Sequence, residues 1–169
     1  VVYGVTTGFG LLCEVSISKE DCALLQKNVV MSHAVGVGEP FDTEIVRGTL
    51  LLRINNFAKG YSGIRLETVE TMLRMLNEGV HPIVPEKGSL GASGDLAPMS
   101  HVILPMMGLG YAEYKGEVLR GSEAMERAGI PVIELGAKEG VACINGTPVM
   151  TSVGALALYD GINLLKSAD

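Results

Sequence analysis

Apolar positions recur at helical spacing along most of this chain, and polar caps and glycines divide the pattern into segments. Ser18 with Asp21 forms a capping box that predicts a helix from Lys19 to about His33, with Leu24, Leu25, Asn28, Val29 and Met31 as its mainly apolar stripe. Asp42 caps a second helix from Thr43 to Lys59, stopped by Gly60. Apolar residues surround much of it (Ile45, Val46, Leu50, Leu51, Leu52, Ile54, Phe57), which predicts a buried helix. A third runs from Leu66 to Glu78, ends at Gly79 and points Met72, Leu73 and Leu76 inward.

Two prolines force His81–Pro85 to be extended. A helix from Leu96 to Met107 tolerates Pro98 in its first turn. Tyr111–Leu119 alternates as a small hairpin turning at Lys115-Gly116. Ser122 is placed as the cap of a short helix, and Thr147-Pro148 opens a long last one carrying Val153, Leu156, Leu158, Ile162 and Leu165. No internal repeat or low-complexity linker interrupts this order. The expected fold class is mainly α, a multihelical single unit over residues 1–169 with a small β-hairpin.

The 47% hydrophobic content and mean hydropathy of +0.33 are high for a soluble monomer, so part of the apolar surface is expected to face further sequence or partner subunits. Uninterrupted apolar stretches such as Val102–Gly110 are too short for a bilayer, and Val1-Val2-Tyr3-Gly4 has neither a basic n-region nor a cleavage pattern, so neither a signal peptide nor a membrane is expected. Nineteen acids against thirteen bases give a net charge of −6 without a basic cluster, which argues against nucleic acid as a partner. Cys13, Cys22 and Cys143 make no paired motif and read as reduced thiols of a cytoplasmic protein. His81 and His101 have no metal-ligand spacing, so no metal is expected.

The chemistry concentrates in Gly88–His101, and within it in Ala92-Ser93-Gly94. The amide nitrogen of Gly94, unhindered by a Cβ, can attack the carbonyl carbon of a small residue such as Ala92. Loss of two waters, one carrying the Ser93 hydroxyl, closes a five-membered ring bearing an exocyclic methylidene. A P-loop would need a Gly-Lys-Ser/Thr ending, whereas Gly94 is followed by Asp95. A nucleophile elbow needs Gly-x-Ser-x-Gly, and here glycine directly follows Ser93. A plain glycine-rich loop entering a helix capped by Asp95 is the remaining alternative.

Gly88–His101, Val2–Gly10 (VYGVTTGFG) and Ile144-Asn145-Gly146-Thr147, in this order, resemble the aromatic amino acid ammonia-lyase family, most of all its histidine-specific members. The resemblance implies a 4-methylideneimidazol-5-one (MIO) group formed autocatalytically from Ala92, Ser93 and Gly94. It implies elimination of ammonia from L-histidine to trans-urocanate, a step of histidine catabolism. Tyr3 would be the β-proton base, His33 with Ser32 would contact the substrate side chain, Asn145 would bond the ring or the substrate amine, and Asp95 would support ring formation. Thr6 stands where the family usually has Asn, which bears on substrate choice. A second tyrosine, an arginine and an acidic group of the family's site lie beyond Asp169, so the chain is expected to be a fragment of the catalytic domain of a homotetrameric enzyme. The alternatives are a phenylalanine or tyrosine lyase, an aminomutase, or a folded piece without activity. Arg53, in an otherwise apolar helix, is expected to pair internally.

Overall fold

Among the described residues, 1–168 of a computed structural model, seven α-helices and five short strands follow one another. They are α1 (Cys22–His33), β1 (Val37–Pro40), α2 (Thr43–Phe57), α3 (Leu66–Glu78), β2 (Val80–Pro82), β3 (Pro85–Lys87), α4 (Leu96–Ile103), β4 (Tyr111–Tyr114), β5 (Glu117–Arg120), α5 (Gly121–Arg127), α6 (Glu139–Ile144) and α7 (Pro148–Ala168). The unit expected over 1–169 thus has its last residue outside the described ones. The mainly helical architecture with a small sheet is as expected.

The hairpin forms where the alternation places it, with Lys115 (φ +52) and Gly116 (φ +85) both left-handed, as a two-residue turn that matches strand twist requires. It also pairs with β2, which makes a three-stranded antiparallel sheet in the order β2-β4-β5, and β1 pairs separately with β3. α3 has its expected bounds, although Leu73 is exposed and Met75 takes the interior place. Pro105 has no N–H to continue α4, so Leu104–Met107 tightens into a 3₁₀ turn.

Several local expectations are corrected. Ser18 and Asp21 bond each other, the Asp21 N–H to Ser18 Oγ at 3.0 Å and the Ser18 hydroxyl to Asp21 Oδ2 at 2.7 Å. They close a turn ahead of α1, which starts at Cys22 rather than Lys19. The inward face of α1 is Gln26 and Val30, while Leu24 and Met31 are about half exposed. The cause is α6, which the periodicity did not reveal: Gly140 N–H donates to Gln26 Oε1 at 3.0 Å and sets the crossing. α2 ends at Phe57 and buries only the face of Val46, Thr49, Leu50, Arg53 and Phe57; Leu51 is exposed. Arg120 is the N-cap of α5, and Ser122 lies inside its first turn. By length and composition Glu139–Ala168 reaches what a bilayer crossing needs, against the reading that every apolar stretch is too short. That stretch is broken between Ile144 and Pro148 and seats Val149 and Ser152 in the interior; the Ser152 hydroxyl bonds the Ile45 carbonyl of α2 at 2.8 Å.

The core joins α2, α3, α4 and the sheet through Leu50, Met72, Met75, Met99, Ile103 and Met106. Each contributes on the order of 1.5–3 kcal/mol by leaving water. Unbranched methionines suit the irregular gap between helices and a small sheet.

One buried carboxylate ties α3 to α6. Glu139 accepts the Arg65 N–H (2.9 Å) and the Thr68 hydroxyl (2.9 Å) on one oxygen. Its other oxygen accepts the Gly136 N–H (2.6 Å) and the Arg65 guanidinium (2.7 and 2.9 Å). Burial pushes this carboxyl up, but the Arg65 bonds and the backbone donors outweigh it and hold it below its ordinary range. A folded-state pKa below the unfolded one means that the contribution is complete above the unfolded value and fades as pH falls through the folded one. Glu139→Gln should therefore lower the unfolding free energy by about 2–3 kcal/mol at neutral pH, read by urea denaturation, with the gap to the parent closing in acid. Burial also pushes the Cys143 thiol up to about 12. Maleimide should label exposed Cys13 in the native protein and reach Cys143 only after denaturation, as peptide mapping would show.

Candidate active site

The loop from Gly88 to Gly94 leaves β3 and enters α4, and its two ends are fixed differently. At the start, Gly88 lies against Gly36, whose own N–H donates to His101 Nε2 of α4 at 3.0 Å. At the end, Gly94 has φ +137, and a Cβ there would stand 2.6 Å from the Gly146 nitrogen and 2.7 Å from its carbonyl oxygen. Backbone cannot yield to such a contact, so only glycine passes. Between them Ala92 and Ser93 are exposed. These features fit an intramolecular ring closure: an unhindered nitrogen at 94, a small residue at 92 and an accessible hydroxyl at 93.

Asp95 is 4% exposed and holds the loop to the next helix pair. Its N–H donates to the Gly146 carbonyl at 2.6 Å. One carboxylate oxygen accepts the Ser89 hydroxyl (3.1 Å), the other the Met150 N–H (2.8 Å) in the first turn of α7. Asp95 thus caps α7 and makes no side-chain bond to α4, contrary to the cap expected on its own helix.

Ser32, His33, Ala92, Ser93, Gly94 and Leu96 line one cavity of about 220 Å³. His33 Nδ1 lies 2.7 Å from the Val29 carbonyl and 3.1 Å from Ser32 Oγ, and Ser32 Oγ itself donates to Val29 at 3.0 Å. A carbonyl only accepts, so Nδ1 carries the proton and Nε2 is left as an acceptor. This bond to Val29, one helical turn back, orients the His33 ring.

Tyr3 does not share that cavity. It lines another, of about 330 Å³, with Arg53, Tyr61, Ser62, Lys138 and Asn145. Its ring meets Phe9 edge-on, with centroids 5.7 Å apart, and its hydroxyl accepts the Gly10 N–H at 3.2 Å. Thr6 closes the turn around it by accepting the Val2 N–H at 2.8 Å. Asn145 joins the two regions: it lines the Tyr3 cavity, and its Oδ1 stands 3.0 Å from where a Gly94 Cβ would be. Its backbone is extended (φ −86, ψ 116), and the positive φ of this segment falls on Gly146 (φ +154). Tyr61 and Ser62, in the loop that follows α2, form part of the wall of this cavity. Lys138 and Arg53 were not identified as site residues. A cation set among Leu50, Leu51, Leu52 and Ile54 was the available signal for Arg53. Among the described residues no three His, Cys, Asp or Glu side chains converge on a metal position.

The model of the family described as aromatic amino acid lyase matches residues 1–169. Histidine ammonia-lyase of Clostridium tetani is 65% identical over all 169 residues, which cover 33% of that protein, and the enzyme of that name from Streptococcus pyogenes serotype M1 is 63% identical over the same share. The chain therefore spans about a third of the length of these curated relatives. Among solved structures, a Pantoea agglomerans phenylalanine aminomutase superposes with a TM-score of 0.90 at 39% identity, covering 96% of this chain and 31% of that one. Histidine ammonia-lyase from Trypanosoma cruzi gives 0.86 at 40% identity, covering 94% and 30%. Fold, tripeptide loop and full-length match converge, and the chain belongs to the aromatic amino acid lyase family.

Proposed function

We propose that this chain supplies the electrophile-forming loop and one wall of the substrate pocket in an enzyme that eliminates ammonia from L-histidine to give trans-urocanate. The observation that carries this reading is the cavity shared by His33 and Ala92-Ser93-Gly94, with Gly94 cradled so closely by Gly146 that no side chain fits. The two relatives named histidine ammonia-lyase, at 65% and 63% identity, favour histidine. The family is in general MIO-dependent, and that group, formed from Ala92, Ser93 and Gly94, would supply an electrophilic alkene.

The chain's own side chains take the remaining work. His33 Nε2, fixed as an acceptor by the Val29 carbonyl, receives an N–H of the substrate imidazole, which a phenyl ring cannot offer. Tyr3 takes the β-proton, its oxygen held in place by the Gly10 N–H at 3.2 Å. Asn145 orients the amine from beside Gly94. Asp95 holds the loop against α7. Tyr3 and His33 line separate cavities within one chain, which supports a site completed by further sequence and by other copies in a homotetramer. The exposed apolar side of α7, with Leu158, Ile162, Leu164 and Leu165, suits burial in that assembly rather than in a membrane. Three free cysteines accord with the cytoplasm.

An aminomutase is the second reading, favoured by the superposition on the phenylalanine aminomutase. Substrate profiling of the full-length enzyme separates the two. Histidine should yield urocanate by its ultraviolet absorbance, while phenylalanine and tyrosine stay unchanged; turnover of either of these without histidine overturns the assignment. Ser93→Ala should abolish the two-water mass deficit in an intact-mass spectrum and lower kcat by about 10³-fold or more.

A further inference from the structure

Arg53 is the least accounted-for charge in the molecule. It is 3% exposed, and among the described residues its internal partner is a backbone carbonyl rather than an acidic side chain. Its recorded hydrogen bond runs from Nη2 to the Asn145 carbonyl at 3.0 Å, and Nε is buried without a partner. The Phe57 ring centroid lies 5.3 Å from the guanidinium carbon. A buried guanidinium with so few acceptors is expensive to keep, and a methionine or leucine would fill the space at less cost.

What the guanidinium touches gives the reason. The Gly146 backbone passes so near that a Cβ there would stand 2.5 Å from Nη2. On its far side the same two-residue segment meets the reactive loop: the Gly146 carbonyl accepts the Asp95 N–H, and the Gly146 nitrogen faces the open position on Gly94. Arg53 holds the carbonyl of residue 145 while Asp95 holds the carbonyl of residue 146. Asn145 Oδ1 is thereby presented beside Gly94. Burial lowers the Arg53 pKa, while the nearby Cys143 and Asp95 act against that. An arginine stays cationic throughout the working range.

We infer that Arg53 is a positioning residue for the reaction, acting through the Asn145-Gly146 segment that it clamps against the tripeptide loop. Its planar fork suits this role, because it can donate to the carbonyl while its face lies near Phe57; a lysine ammonium offers one point charge with neither property. The inference rests on the role proposed for Asn145 and extends it to the residue behind.

A double-mutant cycle in the full-length enzyme tests it. Arg53→Gln should reduce kcat by about 10–100-fold, the usual loss when an outer support of a reacting group is removed, with KM changed far less. In an Asn145→Ala background the same change should reduce kcat by no more than about threefold, because the group being positioned is gone. Losses that multiply independently overturn the positioning role and leave Arg53 a packing residue. An Asn145→Ala enzyme with parental kcat overturns instead the role given to Asn145, a separate failure. If Arg53→Gln does not fold by thermal melting, Arg53→Lys replaces it in the same cycle, with the same non-additivity expected. Intact mass of each variant adds a readout besides rate: incomplete loss of two waters in Arg53→Gln, absent in the parent, shows that the clamp also sets ring closure. Full processing in Arg53→Gln together with parental kcat overturns the inference.

Discussion

The contact between Gly94 and the Gly146 main chain constrains everything around it. Two backbone segments approach within a distance that no Cβ can share, and the Asp95 N–H closes the gap with a bond to the Gly146 carbonyl. For that contact to exist, α4 and α7 must begin at the same place in space. Asp95 secures this by spending its carboxylate on α7 rather than on its own helix. A helix that starts just after the loop and another that starts just after Asn145-Gly146 bring two otherwise distant stretches of sequence to one point, with dipole and hydrogen bond acting together.

Glu139 and Arg53, two of the three buried charges among the described residues, are handled in opposite ways. Glu139 is saturated by donors from Arg65, Thr68 and Gly136, so that its burial strengthens the joint between α3 and α6. Arg53 is left short of acceptors and leans on one peptide carbonyl and one aromatic ring. The first arrangement is what a purely architectural ion pair looks like. The second leaves electrostatic free energy unsatisfied beside the reactive loop, where such expense is usually tied to function.

Legibility from sequence followed the range of the interactions involved. α3 with its Gly79 stop, the Lys115-Gly116 hairpin and the start of α7 at Pro148 depend on neighbours within a few residues, and their bounds could be read. α6 could not: it is six residues long, and its burial is shared with α1 through Gln26 and Gly140, more than a hundred positions apart. The exposure of Leu24 and Met31 on α1 follows from the same omission, while Val29 of the expected stripe does pack against the core. Ser122 and Asp95 look like local caps, but Arg120 occupies one cap position and α7 draws the other side chain away. The tripeptide was recognisable because its chemistry is local, whereas the separation of Tyr3 from the His33 cavity was not, since it is set by how the turns at residues 1–17 lie on α2 and α6.

The methionine-lined interior carries a consequence for oxidative stress. Met72, Met75, Met99, Met106 and Met125 are all at 0% exposure, so peroxide reaches their sulfurs only when the interior opens. A sulfoxide formed during such an opening places a polar oxygen where no donor awaits it, and reclosure becomes unfavourable. Oxidation of this interior is then paced by breathing of the fold, whereas exposed Met31 and Met150 react at the rate of free thioethers.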